Sequence, residues 1–274
     1  MNVKTMPFIM VISLIFGLFI SSIARAEDEM KPLTSQLIRA IGYGGGIHHY
    51  KNYVLRGKEK YLVSAEKSFT SAAAIVERMG SISGLNADEN KAISDIEIMI
   101  AEYRASLPTI KNIYASESSL LKVLKMTDDK VKISDGPAVE GIKILRSRSQ
   151  FNALENIEYA LGYGSAIHNF KNYVIRGKDK YRVNSDKHFS EAEKWLAELS
   201  KVAVDPELTA SLELIKTTVT TYHSAVPKIA ANYKKLEGVS SDTIRNVIVR
   251  GSDRLIKIND SSTIKAFEEL RNKI

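Results

Sequence analysis

Imidazole, ammonium, amide and guanidinium groups recur in this chain at one fixed spacing: His48, Lys51, Asn52 and Arg56, then His168, Lys171, Asn172 and Arg176, 120 residues further on. Steps of three and four place each set on one face of a helix. All four groups donate hydrogen bonds, so the stripe suits a carboxylate or another small anion, and a small anionic ligand is the first chemistry these residues predict. A second reading is structural: each histidine satisfied inside a bundle, and Asn52 part of a buried polar lock between helices. In that case the motif mediates helix-helix contact within the chain, by self-association, or with a membrane receptor.

The glycines beside the stripe fit either reading. Gly42, Gly44, Gly162 and Gly164 leave room for the close approach of a helix or a ligand. As a phosphate loop they are weak, because no strand precedes them and Gly45 and Gly46 become Ser165 and Ala166 in the second occurrence. Arg56-Gly57-Lys58 also reads as a helix stop, with glycine in a left-handed cap and cations against the negative helix end. No metal site is expected, since His49 is replaced by Asn169 and no carboxylate lies within a turn of the histidines to complete a ligand set. No catalytic residue is expected either. The chain has no cysteine, no nucleophile elbow and no repeated carboxylate pair, so a non-enzymatic protein without a cofactor is predicted.

The elements that position the stripe are themselves duplicated. Ile41 to Tyr61 is restated as Leu161 to Tyr181; Tyr103, Pro108, Ile110 and Tyr114 return as Tyr222, Pro227, Ile229 and Tyr233; and Val131 to Asp135 corresponds to Ile256 to Asp260. The last match is displaced further than the first, which an insertion around Val239 to Gly251 explains. Two modules result, residues 32–147 and 148–274, each of domain size. Within them the apolar residues step by three, four or seven, from Ile96 through Tyr103 to Leu124 and from Leu208 through Tyr222 to Leu236, as in long amphipathic helices. A shorter apolar face runs from Tyr61 to Met79 and again from Tyr181 to Leu199.

The fold expected is therefore all-α, two tandem up-and-down helical bundles. Asp135-Gly136-Pro137 opens a last helix of the first module that meets no strong breaker before the second GYG. It either runs through as a rod of about 60 Å or breaks at Ser147-Arg148-Ser149.

Composition sets the compartment. Lys4, the apolar run Phe8 to Ile20 and Ala24-Arg25-Ala26 form a signal peptide over residues 1–26, its apolar core shorter than the roughly 20 residues of a spanning helix. A periplasmic or secreted protein follows. The net charge of +7 is mild and its lysines interleave with glutamates, so nucleic acid is not an expected partner.

The string GYG-x-x-IH-x-[YF]-KNYV-x-RG, with VKISD-GP-AVEG about 80 residues later in the first copy, resembles the extracytoplasmic helical sensor regions of bacterial receptors: chemoreceptors, sensor histidine kinases and diguanylate cyclases. The resemblance covers each module and implies a sensor-like input unit, without implying a particular ligand. Those receptors continue into a membrane span and a cytoplasmic output, which the sequence up to Ile274 does not contain. The expectation is an input half standing alone.

Overall fold

Helix starts and stops written into the sequence divide the described residues of each copy into six helices. The computed structural model describes residues 28–201, 205–236, 247, 249–253, 255 and 260–274. The expected signal peptide, most of the insertion and residues 256–259 lie outside them. The first copy holds α1 (28–41), α2 (Gly46–Arg56), α3 (Glu59–Gly80), α4 (Ala87–Ser116), α5 (Leu120–Lys130) and α6 (Asp135–Ser147). The second repeats them as α7 (Ala153–Leu161), α8 (Ala166–Arg176), α9 (Asp179–Ser200), α10 (Pro206–Lys234), α11 (249–253) and α12 (Asp260–Lys273). The fold is all-α, with no strand among the described residues.

Local chemistry accounts for the boundaries. Asn86 and Glu89 form a reciprocal capping box at the start of α4, and Asn152 and Glu155 do the same for α7. Asp205 accepts from the backbone N–H groups of Glu207 and Leu208, with Pro206 in the first turn of α10. Gly57 and Gly177 end α2 and α8 in the left-handed conformation, both at φ 63°. A Cβ on either would stand about 2.5 Å from a ring, Tyr114 in one copy and Tyr233 in the other. Each of those tyrosines donates its hydroxyl to a backbone carbonyl of the helix so ended, Tyr114 to Val54 and Tyr233 to Val174. The repeated Gly and the repeated Tyr are thus one packing unit.

The continuous rod between the modules does not form. The α6 helix ends at Ser147 and residues 148–152 are not helical. The capping box at Asn152 turns a new helix on, and the Arg146 guanidinium lies over the Phe151 and Tyr159 rings at 4.2 and 4.1 Å, folding the connection back on itself. The apolar stripe through Leu121 and Leu124 is likewise split: Glu117 ends α4 and its carboxylate accepts from Ser119 N–H, so α5 starts afresh.

In the second copy α7 and α8 lie one after the other along α9, which packs on α10, which packs on α12. In the first copy α2, α3, α4 and α6 follow the same order. Each forms a helical bundle whose first rod is broken at the GYG loop, where Gly44 and Gly164 both take φ 76°. Pro108 and Pro227 lie inside α4 and α10. The two apolar cores interlock, for Leu55 belongs to the second core and Tyr163 to the first.

Candidate functional site

The repeated stripe faces the other copy. Lys51 Nζ donates to Asn172 Oδ1 and Lys171 Nζ to Asn52 Oδ1, each at 2.7 Å. The contact is isologous inside one chain, because whatever one copy's residue does to the other is returned by its counterpart. All four side chains are at least 95% buried. Gly42 and Gly162 make the approach close: a Cβ on Gly42 would stand 3.2 Å from the Gly162 Cα, and one on Gly162 3.6 Å from the Gly42 Cα.

Gly44 and Gly164 serve the same contact further out. A Cβ at Gly44 would meet Ile264 of α12 at 2.6 Å, and one at Gly164 would meet Val139 of α6 at 2.8 Å. Each GYG loop therefore rests on the last helix of the opposite copy.

Two aspartates receive the remaining donors. At the start of α6, Asp135 Oδ1 accepts from Tyr103 of its own copy and from Tyr163 of the other, each at 2.8 Å, while Oδ2 lies 3.4 Å from His168 Nε2. At the start of α12, Asp260 Oδ1 accepts from Tyr222 at 3.0 Å and from Tyr43 of the other copy at 2.7 Å, with His48 Nε2 3.2 Å from Oδ2. Two tyrosines and a histidine thus close on each carboxylate. The arginines complete the exchange: Arg56 holds Asp253 through two bonds of 3.0 and 2.9 Å, and Arg176 holds Asp128 at 2.8 Å.

Burial shapes the charges. It lowers His48 and His168 below the ordinary imidazole value, with Lys171 adding to the effect on His48 and the aspartates only partly offsetting it, so both rings are neutral near pH 7. Burial likewise pulls Lys51 and Lys171 down to about 8. For Asp135 and Asp260 burial acts upward, but the facing histidine, lysine and tyrosine outweigh it and hold both carboxyls well below the usual carboxylate range. The tyrosine hydroxyls bound to them are raised by burial and by the adjacent negative charge. Each half-site is then a balanced set of two cations and two anions: Lys51 and Arg176 against Asp128 and Asp135, Lys171 and Arg56 against Asp253 and Asp260.

Little space is left at the centre. A void of about 10 Å³ lies between the two histidine and lysine pairs, room for one water at most. Nδ1 of each histidine is buried without a partner among the described residues. A second small cavity of about 50 Å³ lies beside Lys51, Thr127 and Arg176.

The sequence reading singled out the eight stripe residues, as two separate sets suited to a ligand, and the four glycines; the structure brings all twelve to this seam. It did not assign Asp135, Asp260, Asp128 and Asp253, nor the tyrosines that bind the first two. Asp135 and Asp260 carried a signal, since they end the repeated VKISD and IKIND. Among the described residues no group of His, Asp and Glu is arranged to hold a metal ion, and no helix is long and apolar enough to cross a membrane.

Fold and network together define a tandem helical-module protein whose copies are joined through their own repeated motif. No protein-family model, curated protein or solved structure matches the chain.

Proposed function

We propose that this is an exported, non-enzymatic, sensor-like protein in which the GYGxxIHxxKNYVxRG motif is the joint between two input modules carried on one chain. The observation that carries the reading is the reciprocal exchange of Lys51 to Asn172 and Lys171 to Asn52, four buried side chains from opposite copies satisfying one another. A motif under constraint only from its own bundle has no reason to reach its counterpart in this way. The likeness to receptor sensor regions supports the class, and the apolar leader ending at Ala26 supports export.

Such a joint makes the relative placement of two modules sensitive to small changes at the seam. A buried, balanced polar network tolerates few alternative arrangements, because each displaced donor or acceptor is left unpaired in a low-dielectric setting. The protein on this reading receives a ligand or partner and reports it through the joint.

Co-expression of residues 27–147 and 148–274 as separate chains tests the joint. The halves are expected to co-purify as a one-to-one complex on a sizing column, and Lys51→Glu is expected to weaken it at least tenfold. Separately folded halves that ignore each other would refute the reading.

A further inference from the structure

A cleft of about 460 Å³ opens on the seam beside the GYG loop of the first copy. Its walls come from both copies: α1, the GYG loop and α3 on one side, α7 and α12 on the other. We infer that this cleft binds a small organic carboxylate whose acid group meets the arginines and whose apolar body lies against Ile264 and Phe267. The site goes beyond the joint itself and rests on that reading only in that the cleft exists where the copies meet.

The polar wall has spare donors. Glu158, 8% exposed, accepts from Arg39 at 3.4 Å and from Arg271. Two guanidiniums thus share one carboxylate, and neither has another hydrogen bond among the described residues; five N–H groups on each leave most of their capacity unused. Lys67 adds an ammonium without a side-chain partner among the described residues, and Glu268 one further acid. Three cations face two anions, so one added negative charge brings the cleft to neutrality. A carboxylate fits the planar fork of arginine in a way a spherical anion does not.

Apolar side chains line the same cleft. Ile38, Leu161, Ile264 and Phe267 are among them, and the volume falls in the range of sites that enclose small organic molecules, about 300 to 1,000 Å³. Ser64 and Ser68, one turn apart on α3, add two hydroxyls to the lining.

The first copy also departs from the second at this point. Asn169 donates back to the carbonyls of Gly164 and Ser165 in its own loop. Its counterpart His49 lines the cleft beside the backbone of Gly44, the residue matching Gly164. Tyr43, which bonds Asp260 across the joint, lines it too. An occupant would therefore touch both copies and one arm of the aspartate network.

The test is thermal shift with isothermal calorimetry on the mature chain, using benzoate, succinate and sulfate as probes. Benzoate or succinate is expected to raise the melting point by several degrees at concentrations about a hundredfold above its Kd. Ser68→Trp, which fills the cleft from a half-exposed position, should abolish the shift, and Lys67→Gln should weaken binding about tenfold. His49→Asn, the residue the second copy carries, should fold normally and bind less tightly. No shift with either carboxylate overturns the inference. So does a shift that survives both Ser68→Trp and Lys67→Gln, which would put binding elsewhere, or a response to sulfate as large as that to benzoate, which would remove the organic part of the claim. Association of the separated halves uses none of these probes, so the joint and the cleft fail independently.

Discussion

Replacing Asp260 by alanine removes the acceptor on which two tyrosines and a histidine converge. Tyr222 and His48 are 2% and 3% exposed, whereas the Asp260 side chain is 21% exposed, so water takes the place of the carboxylate only in part. Each orphaned buried donor costs about 1 to 3 kcal/mol. The gross loss is partly offset because the carboxylate no longer has to be desolvated, and a net destabilisation of about 3 to 5 kcal/mol is expected. Tyr43→Phe alone removes one hydrogen bond to a charged group, about 1.5 to 3 kcal/mol.

The decisive quantity is the coupling between the two changes. Tyr43 and Asp260 are separated by 217 positions and belong to different copies. The double variant is expected to be less destabilised than the sum of the singles by about 1 to 2 kcal/mol. Urea unfolding followed by helical circular dichroism and by the fluorescence of the single Trp195 measures all three variants. Additivity within about 0.5 kcal/mol would mean that the copies do not share this network in solution, and the account of the joint would fall.

The same geometry sets the pH dependence of stability and the cost of a side chain in the loop. Stability should drop on acidification below pH 6.5, because the unfolded chain then takes up protons at His48 and His168, and at His49 whose pKa is about 4, that the folded chain does not. It should also rise from pH 8 to about 9.5, since the unfolded chain there still holds protons that buried Lys51 and Lys171 have released. Urea midpoints across that alkaline window that stay flat, or a rise unchanged by Lys51→Met, would contradict the burial of these amines. Gly44→Ala should cost about 2 to 4 kcal/mol, combining left-handed strain with a collision against Ile264. Gly84→Ala, at φ 82° with open space around it, should cost only about 1 to 2 kcal/mol. Equal costs for the two in thermal unfolding would show that the loop does not press on α12.

Periodicity and duplication made most of the fold legible. The spacing of Ile96, Ile100, Tyr103, Leu107 and Ile110 marks the buried face of α4, and these five side chains are all core. The break between α6 and α7 was harder to read, because Asn152 and Glu155 also suit the middle of a polar helix surface and only the packing of Arg146 on Phe151 and Tyr159 decides between a cap and continuity. At the site, helical spacing put His48, Lys51, Asn52 and Arg56 on one face, but spacing within a helix cannot say what lies opposite. The partners Asp253 and Asp260 are some 200 residues away in sequence. Periodicity is a local property, whereas the pairing of α2 with α8 and the last helices arises from how two copies dock, and the repeated acids and tyrosines were the only trace of it in the chain.

The five-residue connection at 148–152 has a consequence for where such a protein can work. Two separate subunits joined by a surface of this kind come apart on dilution, wherever they are. With both partners on a short tether, the effective local concentration stays in the millimolar range or above whatever the surroundings contain. Pairing then depends on temperature and solution conditions, not on abundance.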